Sequence, residues 1–141
     1  NAHTTEIQKN SEAPVVDVML EQKKHLADNK YGGTMRLGSY PCYLKKNTLA
    51  RSAYKKELVE ERHRHRYEIN SKYVKQLEDA GLIFSGTSPD GILMEIAELP
   101  RDVHPFMLGT QFHPEFQARP LSPHHLFTAF LSAAISRKRK R

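Results

Sequence analysis

The string Gly109-Thr110-Gln111-Phe112-His113-Pro114-Glu115-Phe116 closes an apolar run with an imidazole and a carboxylate two residues apart. Proline disfavours helical backbone for the residue before it, so His113 is expected to be extended, with residues i and i+2 pointing to the same side. A carboxylate on one ring nitrogen fixes the imidazole tautomer. It also supports the cation that forms when the other nitrogen takes a proton from an attacking thiol or hydroxyl. His113 and Glu115 are therefore candidate catalytic residues in search of a nucleophile. The competing reading is a turn after a strand, with a solvated Glu115 and a packed His113, and an isolated His-x-Glu would favour it.

A second concentration of chemistry is Glu61-Arg62-His63-Arg64-His65-Arg66-Tyr67-Glu68. Read as a strand over residues 61–70, it puts Arg62, Arg64, Arg66 and Glu68 on one side and His63, His65 and Tyr67 on the other. Like charges on one face repel unless they meet carboxylates or an anion, and a guanidinium suits a substrate carboxylate. The same residues fit a phosphate-binding patch or a solvated edge strand, and composition alone ranks the edge strand first. His63 and His65 have spacing for a metal site on a strand, but with no third ligand evident no metal is assigned.

The elements that must position these residues read as mixed α/β. Residues 14–20 form a buried strand, 21–30 a surface loop or short helix, and 34–45 two strand-like pieces around Gly38 and Pro41. Asn47 caps a helix reaching about Lys56, with Leu49, Ala53 and Leu58 at near-helical spacing, and Ser71 caps another over 72–80. That second helix turns Val74, Leu77 and Ala80 inward and ends at Gly81. Strands over 82–85 and 92–98 flank the turn Ser88-Pro89-Asp90-Gly91. The strand over 106–112 delivers His113 at its carboxyl end, where sheets flanked by helices place ligands. Ser122 and Pro123 open a last helix that buries Leu126, Phe127, Phe130, Leu131 and Ala134.

Composition bounds the function. A chain of 141 residues with 38% apolar and 9% aromatic content suits one globular unit. It starts at Asn1 within structured sequence, as a piece of something larger would. With no apolar stretch of membrane-spanning length and no leader, a soluble cytoplasmic protein without a membrane partner is expected. Five basic residues, Arg137 to Arg141, account for most of the net charge of +6, so the body is close to neutral and nucleic acid is an unlikely partner. The lone Cys42 excludes an intrachain disulfide and any zinc site of several thiolates.

Three strings now combine. Gly32-Gly33-Thr34-Met35-Arg36-Leu37-Gly38, then E-R-H-R-H-R-Y-E-I-N from Glu61 to Asn70, then G-T-Q-F-H-P-E-F stand in this order. Together they resemble the C-terminal half of the class I (triad) glutamine amidotransferase domain of the CTP synthase family. The last string alone would indicate only the wider class I; the first two narrow it. The resemblance covers residues 1–136, leaving 137–141 as a basic tail. It implies a flavodoxin-like α/β fold, a mixed sheet with flanking helices, truncated on its N-terminal side.

The resemblance also implies a reaction. Such ligases serve pyrimidine biosynthesis: the amidotransferase domain hydrolyses L-glutamine, and the ammonia aminates UTP to CTP in a synthetase domain that uses ATP and magnesium. GTP activates, and the active enzyme is a homotetramer; no cofactor is expected on this chain itself. By motif, His113 and Glu115 match the His and Glu of a Cys-His-Glu triad. Arg66, with Tyr67 beside it, matches the anchor of the glutamine α-carboxylate, and Glu6 in Thr4-Thr5-Glu6 the partner of the α-amino group. A cation, an anion and an acid/base pair are what free glutamine requires.

One part of the pattern is missing. The family's nucleophile lies in a Gly-x-Cys-x-Gly turn upstream of the Glu6 segment, whereas Cys42 lies downstream without flanking glycines. Cys42 is expected to be structural, the thiol to come from residues outside the chain, and the chain alone to be inactive. The alternative is a non-catalytic module that binds a nucleotide or partner protein through Arg62, Arg64 and Arg66.

Overall fold

Residues 1–18 and 35–139 are described in a computed structural model. The expected surface segment at 21–30 and the Gly32-Gly33-Thr34 part of the first string lie outside the described residues. Two sheets carry the fold. The smaller joins β1 (Ala2–Thr4), β2 (Ala13–Val18) and β5 (Tyr67–Ile69), with β1 parallel and β5 antiparallel to β2. The larger is antiparallel in the order β4-β3-β6-β7-β8, from β3 (Arg36–Leu44), β4 (Leu58–His65), β6 (Ile83–Thr87), β7 (Met94–Glu98) and β8 (Leu108–Thr110). The α/β class expected from sequence is therefore observed.

Several local expectations change in detail. The segment around Gly38 and Pro41 is one strand, because β4 pairs with it without a break from Arg36 opposite His65 to Tyr43 opposite Leu58. Pro41 is tolerated there because β6 pairs with β3 only at Tyr43 and Leu44. The stretch 61–70 is two strands in different sheets, separated at Arg66. β8 is shorter than expected, since its ladder to β7 runs only from Leu108 to Thr110.

Helix caps shift by one residue. Helix α1 (Leu49–Tyr54) is capped by Thr48, whose Oγ1 accepts from Arg51 N at 3.1 Å, while Asn47 takes the left-handed φ of 63° that asparagine tolerates. Glu98 of β7 completes this cap, accepting from Leu49 N at 2.6 Å and Ala50 N at 3.0 Å. Helix α2 (Ser71–Asp79) is capped by Asn70 rather than Ser71. Asn70 also donates its side-chain N–H to Pro14 O at 3.0 Å and its backbone N–H to Val15 O at 2.8 Å, tying helix to β2. Gly81 ends the helix at φ 98°, as expected; Val74 and Leu77 are half-buried but Ala80 is exposed.

The largest correction concerns α3 (His125–Lys138). Of the face expected to be buried, only Leu126 is; Phe130 and Leu131 are 52% and 58% exposed. Apolar side chains surround this helix, and α1, the element it packs against, is six residues long and covers one strip. No helix among the described residues is long and apolar enough to cross a membrane.

The core gathers Cys42 and Leu44 of β3, Ala50 and Tyr54 of α1, Val59 of β4, Ile96 of β7, Phe112 and Leu126. Gly86 of β6 is required by this packing: a Cβ there would lie 2.6 Å from Ile96 Cγ1 and 2.8 Å from Cys42 Sγ. Gly86→Ala is therefore expected to destabilise the chain by about 1–3 kcal/mol, seen as a lower midpoint in urea. Gly109→Ala, which meets no atom within 4 Å, should leave that midpoint nearly unchanged.

Candidate active site

The large sheet curls until the chain leaving β8 reaches the opposite edge strand, β4. Gln111 N first bonds Glu95 O at 2.8 Å, continuing the ladder to β7, and two residues later His113 N bonds Arg62 O at 2.9 Å. Gln117 Nε2 extends the seam to Glu60 O at 2.8 Å. His113 is extended, at φ −107° and ψ 93°, as the following proline demands. Pro114–Phe116 then form a 3₁₀ turn, so Glu115 reaches back across a turn rather than along a strand.

The pair nonetheless meets. His113 Nδ1 and Glu115 Oε1 are 2.7 Å apart, with the imidazole 39% exposed and its ring stacked on Phe116 at 4.8 Å. The hydrogen bond from His113 holds the Glu115 carboxyl below its ordinary value. With Nδ1–H given to Glu115, the neutral ring presents Nε2 as its acceptor, the arrangement a general base needs.

The alternation expected from residue 61 onward holds through β4. Glu61 and His63 are buried while Arg62 and Arg64 are exposed. Arg66 is half-buried where the chain leaves one sheet for the other, and Tyr67 opens β5 opposite Val18 of β2. Because β1 is parallel to β2 and β5 antiparallel, the end of β1 that leads to Glu6 lies at the same end of the small sheet as Tyr67. Glu6 itself is exposed in a turn tied by its own N–H to Thr4 Oγ1 at 3.2 Å.

Inside the curl lies a polar network that sequence reading did not find. Arg36 donates to Glu95 Oε1 at 2.6 Å and lies over the Tyr40 ring at 4.3 Å. His63 Nδ1 is 3.6 Å from Glu95 Oε2 and 3.1 Å from His65 Nε2. Burial, then the Arg36 charge, lowers His63 from 6.5 to about 3. Burial likewise lowers His65 to about 4, so both are neutral near pH 7. Burial raises Glu95, with Arg36 pulling the other way. Among the described residues His63, His65 and Glu95 form a group with three potential metal donors, the third ligand being 30 residues or more distant in sequence. The Arg36 guanidinium supplies a cation for Glu95 and the imidazoles bond each other, while His63 Nε2 and Glu95 Oε2 are buried without a hydrogen-bond partner.

A second buried carboxylate, Glu61 Oε1, accepts from Tyr54 OH at 2.6 Å and His124 Nε2 at 2.9 Å, while His124 Nδ1 caps α3 at Leu126 N, 3.3 Å away. Cys42 is fully buried, and desolvation pushes its thiol up to about 12, with the Glu95 and Glu61 charges adding to this. A thiol so held is a poor nucleophile.

The curled sheet with flanking helices carries the His113–Glu115 pair at its seam. Residues 7–133 match the class-I glutamine amidotransferase family model, and the chain belongs to that family. Within it the similarity is to CTP synthases. The chain is 54% identical over 140 residues to the CTP synthase of Aquifex aeolicus strain VF5, covering 99% of this chain and 25% of that protein. It is 56% identical over 140 residues to that of Pelotomaculum thermopropionicum, with the same coverage of 99% and 25%. The glutaminase domain of Trypanosoma brucei CTPS with bound acivicin superposes with a TM-score of 0.83 at 34% identity, over 96% of this chain and 51% of that one. The chain thus spans about a quarter of the length of its curated relatives.

The depressed imidazoles predict an acid-sensitive fold. Unfolded His63 and His65 take up protons near 6.5, but folded they do so only near 3 and 4. The unfolded state therefore binds more protons in that window, and stability, intact above about pH 6.5, falls as pH drops towards 4. Urea midpoints measured across pH 4–7 should show this slope, and His63→Asn combined with His65→Asn should reduce it.

Proposed function

We propose that this chain supplies the base, its orienting carboxylate and the carboxylate anchor of a glutamine-hydrolysing site, with the nucleophilic thiol coming from polypeptide outside the 141 residues. The observation that carries the reading is the 2.7 Å bond between the half-exposed His113 and Glu115 at the sheet seam. In this reading Arg66, with Tyr67 beside it, holds the α-carboxylate of L-glutamine, and Glu6 receives the α-amino group. The exposure of Glu6 and its place at the Tyr67 end of the small sheet are compatible with a ligand reaching it.

The chemistry follows from those roles. A thiolate attacks the side-chain amide carbon of glutamine, and His113, carrying the thiol proton, gives it to the departing ammonia. The resulting thioester is opened by water, whose proton passes to His113 Nε2, and glutamate leaves. Glu115 stabilises the imidazolium at each transfer. Cys42 is not the thiol, being fully buried in the core.

For the complete protein we infer the reaction of the CTP synthase relatives: ammonia delivered to an ATP- and magnesium-dependent amination of UTP, stimulated by GTP, in a cytoplasmic homotetramer. On this reading the chain alone is inactive, and ATP, magnesium and the synthetase chemistry belong to other parts of the polypeptide.

The test is complementation. The chain is co-produced with the remaining segment of a CTP synthase, including its Gly-x-Cys-x-Gly turn, and glutamate release is measured. His113→Ala should lower kcat about 10²–10⁴-fold, and Arg66→Ala should chiefly raise KM for glutamine. Undiminished hydrolysis by His113→Ala would sink the triad assignment. Absence of hydrolysis in the unmodified pair, together with nucleotide binding lost on changing Arg62 and Arg64, would support the non-catalytic module instead.

A further inference from the structure

We propose that Gln111 is a positioning residue that sets the distance between the carboxylate anchor and the base, an inference that rests on the glutaminase reading above. Its side-chain N–H donates to the Tyr67 carbonyl, and the same nitrogen is 2.8 Å from His65 Nδ1. Its backbone N–H bonds Glu95 O at 2.8 Å, and it lies two residues before His113. One residue therefore joins the strand that leads to the base with the carbonyl of the residue that follows Arg66.

Arg66 lies between sheets, and β5 beyond it pairs with β2 through only three residue pairs, from Val16–Ile69 to Val18–Tyr67. On the other side, β4 is bonded to the base segment through His113 N and Arg62 O, four residues before Arg66. A loose junction would let Arg66 and Tyr67 drift relative to His113. The Tyr67 carbonyl instead accepts from Gln111, and in the Nδ1–H tautomer of His65 it also accepts from that imidazole at 3.1 Å. In either neutral tautomer of His65 that carbonyl keeps the Gln111 N–H. His65 is itself braced through His63 by the Glu95–Arg36 pair, so the clamp is anchored in the interior of the curl.

The chemical consequence is specific. An anchor on the substrate carboxylate acts alike in ground and transition state, so misplacing it weakens binding more than it slows chemistry. A residue that only supported folding would lower the active fraction, reducing apparent kcat with KM unchanged.

The experiment is steady-state glutaminase kinetics of the complemented enzyme with Gln111→Met, which keeps the length but has no donor, and Gln111→Glu, which sets a carboxylate against the carbonyl. We expect KM for glutamine to rise about tenfold or more in both, with kcat within about threefold. Unchanged KM, or a fall in kcat alone, would overturn the assignment. Should both variants fail to fold, the ¹⁵N,¹³C-labelled unmodified chain decides it: a scalar coupling across the hydrogen bond between Gln111 Nε2 and the Tyr67 carbonyl carbon is expected, and its absence overturns the clamp. An unmodified complemented enzyme without hydrolysis would instead sink the glutaminase reading, whereas an active enzyme indifferent to Gln111 sinks only this inference.

Discussion

The hydrogen bond from His113 N to Arg62 O, 2.9 Å long, is the constraint on which the site depends. It joins the segment beyond the last strand of the large sheet to the strand at its opposite edge, and so fixes the curl. Strand twist makes such curling accessible to an antiparallel sheet, but twist alone does not choose which residues meet at the seam. Here the meeting places the His113 segment beside the arginine-rich strand. An open sheet of the same strands would hold His113 and Arg62 at opposite edges, four strands apart.

The interior created by the curl is unusually polar. Glu61, Glu95 and Glu98 are all buried, and each has dedicated donors: Tyr54 and His124, Arg36, and the first amides of α1. Buried ion pairs contribute little net stability once desolvation is counted, but breaking one partner is costly. They act here as registration devices. Glu98 fixes where α1 begins, Glu61 fixes where α3 begins, and Glu95 with Arg36 borders the tilted His63–His65 pair. Glu61 comes from a strand whose alternation points it inward, whereas β7 buries Glu95, Ile96 and Glu98 across a shift in its pairing with β6.

The same construction accounts for the contrast between Cys42 and His113. Cys42 lies in the centre of the packed layer against Gly86 and Ile96, where desolvation keeps its proton. His113 lies at the rim, stacked on Phe116 and bonded to Glu115, with one nitrogen committed and the other available. Reactivity here follows position in the curl. α3 carries exposed Phe127, Phe130, Leu131 and Ile135, apolar surface that the described residues leave uncovered.

Much of this was legible in the residues themselves. Pro114 dictated the extended His113, the alternation from Glu61 to His65 dictated which side chains turn inward, and Gly81 dictated where α2 stops; each is a local steric or periodic effect. The three strings sufficed to place the chain with CTP synthase amidotransferases. Local rules could not show that Gln111 would meet Tyr67, that Glu98 would cap a helix 48 or 49 residues earlier, or that Arg36 would serve Glu95 rather than a ligand. Nor could they show that the apolar face of α3 would stay exposed, because burial depends on what neighbouring elements cover. Sequence by itself determined that His113 and Glu115 pair, and the elements that carry them. Only the tertiary structure decided which distant groups hold that pair in place, because those contacts arise from strand register and sheet curl, properties of several segments at once.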